Sequence, residues 1–384
     1  MATKRGNEEG SIYQRQDGLW AASVSLGFDG KGKRVRRTLY GKTRKEVATK
    51  LVELQKAKSD GLPVARRDIT IETLLTEYLA VSKPQLRPKT YLSYALLSRV
   101  YVLPKLGKLR LAELDARKIE SWMRGLLADE LSAHTVGLSR ALLRRAVDQA
   151  VRWDWVPRNV VDLTSPPRVE RRVPPAQSVE QAQAILTAFE GTRFGPLITV
   201  VLGLGLRIGE ALGLRWEDIE YEGERPVRLS VRVQLQYVNN TFQLTPPKSA
   251  RAVRCLYLPS FVADALLSQK QTQAELAPKW EETGCENKLG LVFTNWEGGP
   301  LEYQNVRRQC MLTLGRAGIE GVRLHDLRHL CASLLLARNI HPRIVMEILG
   351  HSQISLTMNT YSHVLPGVAT VAATAMEELL RPGK

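Results

Sequence analysis

Little in this 384-residue chain points to metal or thiol chemistry. Its four cysteines, Cys255, Cys285, Cys310 and Cys331, form no CxxC pair, so neither a zinc ribbon nor a dithiol redox centre is indicated. They read as reduced thiols of a cytoplasmic protein. No GxxxxGK[ST] phosphate loop is present, and no repeat of fixed period. The start MATKRGNEEG leads into no apolar core, which argues against a secretory signal. The longest apolar stretch, Phe194 to Leu206, contains three glycines and a proline. It falls short of the roughly 20 residues a membrane span needs and reads as a buried helix. Acidic residues are also scarce: 39 Asp and Glu stand against 55 Lys and Arg, a net charge of +16. Such an excess favours a polyanionic partner, above all nucleic acid, although charge alone also fits an acidic membrane surface. With 44% hydrophobic and 24% charged residues, most of the chain is expected to fold, into two or three domains at this length.

Residues 11 to 40 read as strands broken by a turn at 28–32, followed by a helix opened by Thr43 with Glu46 three residues on. This predicts a small three-stranded β-sheet backed by one helix. Lys31, Lys33, Arg34, Arg36 and Arg37 head a run of basic residues that reaches Lys45 without an acid. The bland reading is a solvated charged edge; the sharper one is a β-surface laid against DNA phosphates. Residues 61–67 read as a linker. Helices are predicted at Ile71 to Val81, Lys89 to Leu103, Asp115 to Ala128 and Ser132 to Trp155, the last with Leu138, Leu142, Ala146 and Ala150 recurring every four. Prolines 166, 167, 174 and 175 mark a second linker. Beyond it helices dominate, interrupted by an antiparallel meander over Val227–Val238, Thr241–Thr245 and Ala252–Leu258. The expected fold class is therefore mainly α and multidomain: a β-sheet-plus-helix domain (1–60), a linker (61–67), a helical bundle (68–165), a second linker (166–177) and an α-rich domain with a small antiparallel sheet (178–384).

Five of the six histidines, His325, His329, His341, His351 and His363, crowd the carboxyl-terminal region. At about 100° per residue, Leu327, Leu330, Cys331 and Leu334 form one stripe of a helix, with His325, Arg328 and His329 on the other side. His325 and His329 have the i, i+4 spacing of a zinc-protease helix. Against that reading, Asp326 replaces the glutamate base and Arg328 sets a fixed cation beside any metal. The rival reading is anion binding, with Arg328 as a forked donor and a histidine as donor or proton carrier. Surface residues with no ligand remain a third.

The order of residues decides among them. Upstream stands GLGLRIGEALGLRWEDI, with Arg207 opening a helix and Glu210 one turn on; downstream stands MEILGHSQISLTMNTYSHV, with His351 and Tyr361. Here the chain resembles the tyrosine recombinases, the phage integrase family, whose signature is Arg, Lys, His-x-x-Arg, His or Trp, then Tyr. The matching positions are Arg207, Lys248, His325, Arg328, His351 and Tyr361, and the resemblance covers roughly 178–364. More loosely, the preceding domains resemble the core-site-binding and arm-binding domains of integrases from phages and conjugative elements.

The resemblance implies a site-specific recombinase with Tyr361 as nucleophile and Glu210 in a supporting role. It implies double-stranded DNA with core-type and arm-type sites as partner, a homotetramer on DNA with the tail after Tyr361 packed on a neighbour, DNA-bending and excision factors, and no cofactor, metal or membrane. The chemistry explains the grouping. Two guanidiniums, Arg207 and Arg328, can clamp both non-bridging oxygens of a phosphodiester. A tyrosine hydroxyl, with an ordinary pKa of about 10, needs a proton acceptor and a positive field. His325 fits the first need, with His351 donating to the phosphate and Lys248 protonating the leaving 5′-oxygen. Arg251 and Arg254 carry charge in the same region as Lys248. Two rivals are a DNA-binding regulator that keeps the fold without catalysis, and a Xer-like chromosome dimer resolvase, which normally lacks the β-domain.

Overall fold

A computed structural model describes residues 11–28, 34–59, 69–169, 178–247 and 250–350, the side chains of 25–37, 53–59 and 250 excepted. The chain divides into two compact units, 1–171 and 172–384.

The first unit opens with strands β1 (Ser11–Gln14), β2 (Trp20–Phe28) and β3 (Arg34–Gly41), an antiparallel sheet in that order. Ser11 lies opposite Ser23 and Trp20 opposite Gly41. Helix α1 (Arg44–Ser59) closes one face, burying Val47 and Leu51 against Ala22, Val24 and Leu39. Its entry is fixed by two short bonds. The Glu46 N–H donates to Thr43 Oγ1 at 3.2 Å, and the Glu46 carboxylate accepts from the Lys42 N–H at 2.9 Å. The reciprocal bond thus goes one residue further back than in a standard capping box.

A second, separate core follows. It is built by α2 (Ile71–Ser82), α3 (Pro88–Leu97), α4 (Leu103–Leu106), α5 (Ala116–Ala128) and α6 (Ala133–Arg152). Thr70, Asp115 and Ser132 cap α2, α5 and α6, each side chain accepting the N–H three residues on; this is the polar side-chain capping that orphan helix donors require. The helix expected over 89–103 is interrupted by a π-helical turn, Ser98–Val102, in which the Leu103 N–H reaches back to Ser98 O. Pro104 has no N–H for the usual i−4 bond, and the wider turn sits where that rung would fall. The last helix also stops earlier than expected, at Arg152, and Leu138 is exposed rather than buried. A strict spacing of four overshoots each turn by about 40°. The buried stripe instead mixes threes and fours through Val136, Leu143, Ala146, Val147 and Ala150.

In the second unit, α7 (Val179–Phe189), α8 (Gly195–Leu204) and α9 (Ile208–Leu212) precede β4 (Ile219–Glu222), β5 (Arg225–Val231), β6 (Gln234–Val238), β7 (Thr241–Thr245) and β8 (Arg254–Tyr257). Then come α10 (Ser260–Thr283), α11 (Tyr303–Arg316), α12 (Leu324–Ala337) and α13 (Pro342–Leu349). The single meander expected from the sequence is two sheets, β4-β5-β8 and the hairpin β6-β7. The apolar run breaks at Arg232 and Val233, which belong to no strand, so β5 pairs with β8, Leu229 facing Leu256, and the hairpin is inserted between them. Asn239 and Asn240 turn the hairpin with φ of 51° and 58°, the left-handed pair that a two-residue hairpin loop demands. The largest core of this unit packs α8 residues Leu197, Ile198 and Val201 against Leu212, Leu229, Leu266 and Leu327. No described helix is long and apolar enough to cross a membrane.

Candidate functional site

The site begins where α8 ends. Gly205 has φ of 61°, a left-handed conformation that lets the chain leave α8 and enter α9 after only three residues. A Cβ there would lie 2.5 Å from Leu349 Cδ2, so the turn is also packed tightly against the end of α13. Arg207 falls at the cap of α9. Its own N–H donates to Glu210 Oε2 at 3.1 Å, while its Nη1 donates to Glu210 Oε1 at 2.7 Å. Its Nη2 donates to the carbonyl of Gly350 at 3.3 Å.

Arg328 approaches the same place from α12. The helical pattern assigned it to the face turned away from the apolar stripe; the structure buries it, at 2% exposure. Arg328 is flanked along the helix by Leu324 and Cys331, both buried, so the covered arc is wider than the polarity of one guanidinium indicates. The guanidinium donates to the carbonyl of Gly205 at 2.7 Å and to the carbonyl of Leu349. Full burial of a charge is tolerable when it has hydrogen-bond acceptors of this kind.

His325 lies one turn before Arg328 on the more open side of α12. Its ring meets that of His329 edge to face, centroids 4.9 Å apart. Partial desolvation, then the neighbouring His329, Arg328 and Arg207, push the His325 imidazole down to about 4, against the pull of Asp326. Burial, with Arg328 and Arg323 adding, also lowers His329, against the pull of Asp326. Both rings are neutral at ordinary pH, and a neutral imidazole can accept a proton. Asp326 is engaged elsewhere, accepting the Arg323 N–H at 2.9 Å and pairing with its guanidinium.

Glu210, 3% exposed, would by burial alone hold its proton more tightly. The charges of Arg254 and Arg207 outweigh that and hold its carboxyl below the usual range. Arg254 is the residue that sequence reasoning assigned no task beyond stray charge near Lys248. It donates from Nη2 to Glu210 Oε2 at 3.0 Å, from Nε to Ile348 O at 2.6 Å and from Nη1 to Ala252 O at 3.0 Å. A usable signal was present. Arg254 shares a face of β8 with the buried Leu256, and a charged residue on the inward face of a strand implies a buried partner.

Three consecutive carbonyls, of Ile348, Leu349 and Gly350, thus each receive a guanidinium, from Arg254, Arg328 and Arg207. Gly350 ends α13 with φ of 64° and is followed in the chain by His351. Of the expected site residues, Arg207, Glu210, His325 and Arg328 come together here. Lys248, His351 and Tyr361 lie outside the described residues. So do Lys31 and Lys33, while Arg34, Arg36 and Arg37 occupy β3 opposite Phe28, Ser25 and Val24. Among the described residues no group of three or more His, Cys, Asp or Glu is placed to hold a metal ion.

Residues 177–367 match the model of the phage integrase family, and residues 70–127 that of the phage integrase N-terminal SAM-like domain. An integrase of Streptomyces ambofaciens is 30% identical over 394 residues, an alignment covering 100% of this chain and 99% of that protein. The Tn1549 transposon integrase, solved in complex with a circular intermediate DNA, superimposes with a TM-score of 0.68 at 20% identity, covering 80% of this chain and 100% of that one. Lambda integrase, solved as a tetramer bound to a Holliday junction, gives 0.59 at 17% identity, covering 94% and 97%.

Proposed function

Since the chain belongs to the phage integrase family and is a site-specific tyrosine recombinase, we propose that it cuts and rejoins double-stranded DNA through Tyr361, with Arg207 and Arg328 as the clamp on the scissile phosphate. In the forward step the Tyr361 oxygen bonds to phosphorus and the bond to the 5′-oxygen breaks, leaving a 3′-phosphotyrosine ester and a free 5′-hydroxyl. The phenolic proton passes to His325, and Lys248 supplies the proton the 5′-oxygen takes up. His351 donates to a non-bridging oxygen, and the two arginines offset the charge that builds on the phosphoryl group. The ester keeps the free energy of the phosphodiester, so rejoining by another strand's 5′-hydroxyl needs no nucleotide cofactor.

The observation that carries this reading is the convergence of Arg207 and Arg328. They arrive from α9 and α12, 121 positions apart by their numbers, yet donate to adjacent carbonyls directly before His351. We assign residues 1–60 to arm-type sites, with Lys31, Lys33, Arg34, Arg36 and Arg37 as contacts, residues 68–165 to core-type sites and residues 178–384 to catalysis. The protein works as a tetramer on DNA of a phage or other mobile element, with bending and excision factors setting direction.

The test is covalent trapping. Nicked duplexes tiled across the DNA flanking the gene are incubated with purified protein and resolved on denaturing gels. Wild type is expected to give a protein–DNA adduct and Tyr361→Phe none; an adduct that persists in Tyr361→Phe removes Tyr361 from the nucleophile's role.

A further inference from the structure

The clamp arginines do not hold themselves in place. Arg207 is partly exposed, with 37% of its side chain open to solvent, whereas its partner Glu210 is 2% open and Arg254, on the far side of that carboxylate, 7%. The order of burial runs from a solvent-facing cation, through a buried anion, to a buried cation. A carboxylate taken out of water needs compensation from both sides. Arg207 occupies Oε1, and Arg254 occupies Oε2, which also accepts the Arg207 N–H. Without Arg254, Glu210 would keep one cation, and its second oxygen would be held by the Arg207 N–H alone. The remaining donors of Arg254 extend the brace: Nε reaches Ile348 at the end of α13, and Nη1 reaches Ala252 beside β8. One guanidinium therefore joins three elements distant in sequence, as a planar fork can and a single ammonium cannot.

We propose that Arg254 is a positioning residue of this site: its buried guanidinium fixes the Glu210 carboxylate that holds Arg207 and, at the same time, pins the carbonyl end of α13. The inference rests on the strand-transfer reading above and assigns Arg254 no contact with DNA. The side chain acts on the reaction through Glu210 and through the point where the chain leaves α13 toward His351 and Tyr361.

The experiment measures single-turnover adduct formation at saturating protein, together with the Kd, on the duplex that gives the wild-type adduct. Arg254→Met is expected to slow adduct formation by roughly tenfold or more, because small displacements of a phosphate clamp are costly, while Kd stays within about twofold of wild type. Glu210→Gln should slow the same step. The double variant should be no slower than the worse single, the signature of two residues acting as one unit. Arg254→Lys, which keeps a cation for Glu210 but lacks the fork, should recover part of the rate. That variant carries the test if Arg254→Met does not fold.

Three results overturn the proposal: a wild-type rate in folded Arg254→Met or Arg254→Lys, a double variant slowed by the product of the two singles, or a loss confined to Kd with the saturated rate intact. A wild-type protein that forms no adduct on any duplex is a different failure. It removes the strand-transfer reading itself, and this proposal with it.

Discussion

The proton inventory of the site is set by a few side chains whose neighbours are almost all positive. His325 shows the consequence most directly. With its folded value near 4 and an ordinary value of 6.5, the folded protein binds fewer protons than the unfolded chain between those limits. Stability therefore rises with pH across that window and falls as the solution is acidified through it. Thermal melts from pH 7.5 down to 4.5 should show a declining midpoint, and His325→Gln should flatten that decline; an unchanged slope would mean that the ring titrates normally. Arg207, His325 and Arg328 could be picked out because they match, in order and local spacing, the signature of the family that the chain resembles. The burial of Arg328 and the task of Arg254 could not. A helical projection sorts residues by polarity and gives no sign of a guanidinium folded under carbonyls, while the inward strand position of Arg254 implies a buried partner without saying that the partner is a carboxylate far away in sequence.

The elements that carry these side chains are mostly short, and their ends matter more than their lengths. Gly350 is the clearest case. Its left-handed φ of 64° already disfavours an L side chain, and an added Cβ would sit 3.1 Å from Arg254 Nη1 and 3.2 Å from Ala252 Cα. Gly350→Ala is expected to cost about 1–2 kcal/mol from the backbone alone, read as a lower denaturation midpoint. It should also slow adduct formation by roughly tenfold if the end of α13 shifts against the arginines. A variant with wild-type midpoint and rate would show that this terminus tolerates displacement. Helices with polar caps, such as α5 and α6, could be read from sequence nearly to their first residue, because the capping side chain itself is the signal. The carboxyl-terminal sheets could not. Pairing between β5 and β8 spans an inserted hairpin, and alternation along one strand says nothing about which neighbour it finds. The short β4, Ile219–Glu222, alternates apolar and charged residues, but over only four positions, too few to set its period apart from the turns around it.

Among the described residues, the hydrophobic clusters are separate: one under the amino-terminal sheet, one inside α2–α6, the largest around α8 and a small one between α12 and α13. Self-contained cores favour divided labour. Removing residues 1–60 should abolish binding to arm-type sites while leaving adduct formation at a core site within a few-fold of wild type. Gel-shift and trapping assays on the two site types read this directly, and loss of both activities together would contradict the assignment. Given a net charge of +16, binding to any duplex should weaken steeply between about 50 and 200 mM salt, by on the order of a thousandfold if six or more phosphates are contacted. A flat salt response would point away from backbone contacts.

The terminus of α13 where three arginines meet has one more consequence. A helix ends in a partial negative pole, roughly half an elementary charge. Cations crowded into a small volume repel one another, and here that pole stands among them as a resident counter-ion. The protein can therefore keep its positive groups assembled with no substrate bound. On the proposed reading, an incoming phosphodiester would take over from a weaker anion already in place, and little of its binding energy would go into gathering the charges that receive it.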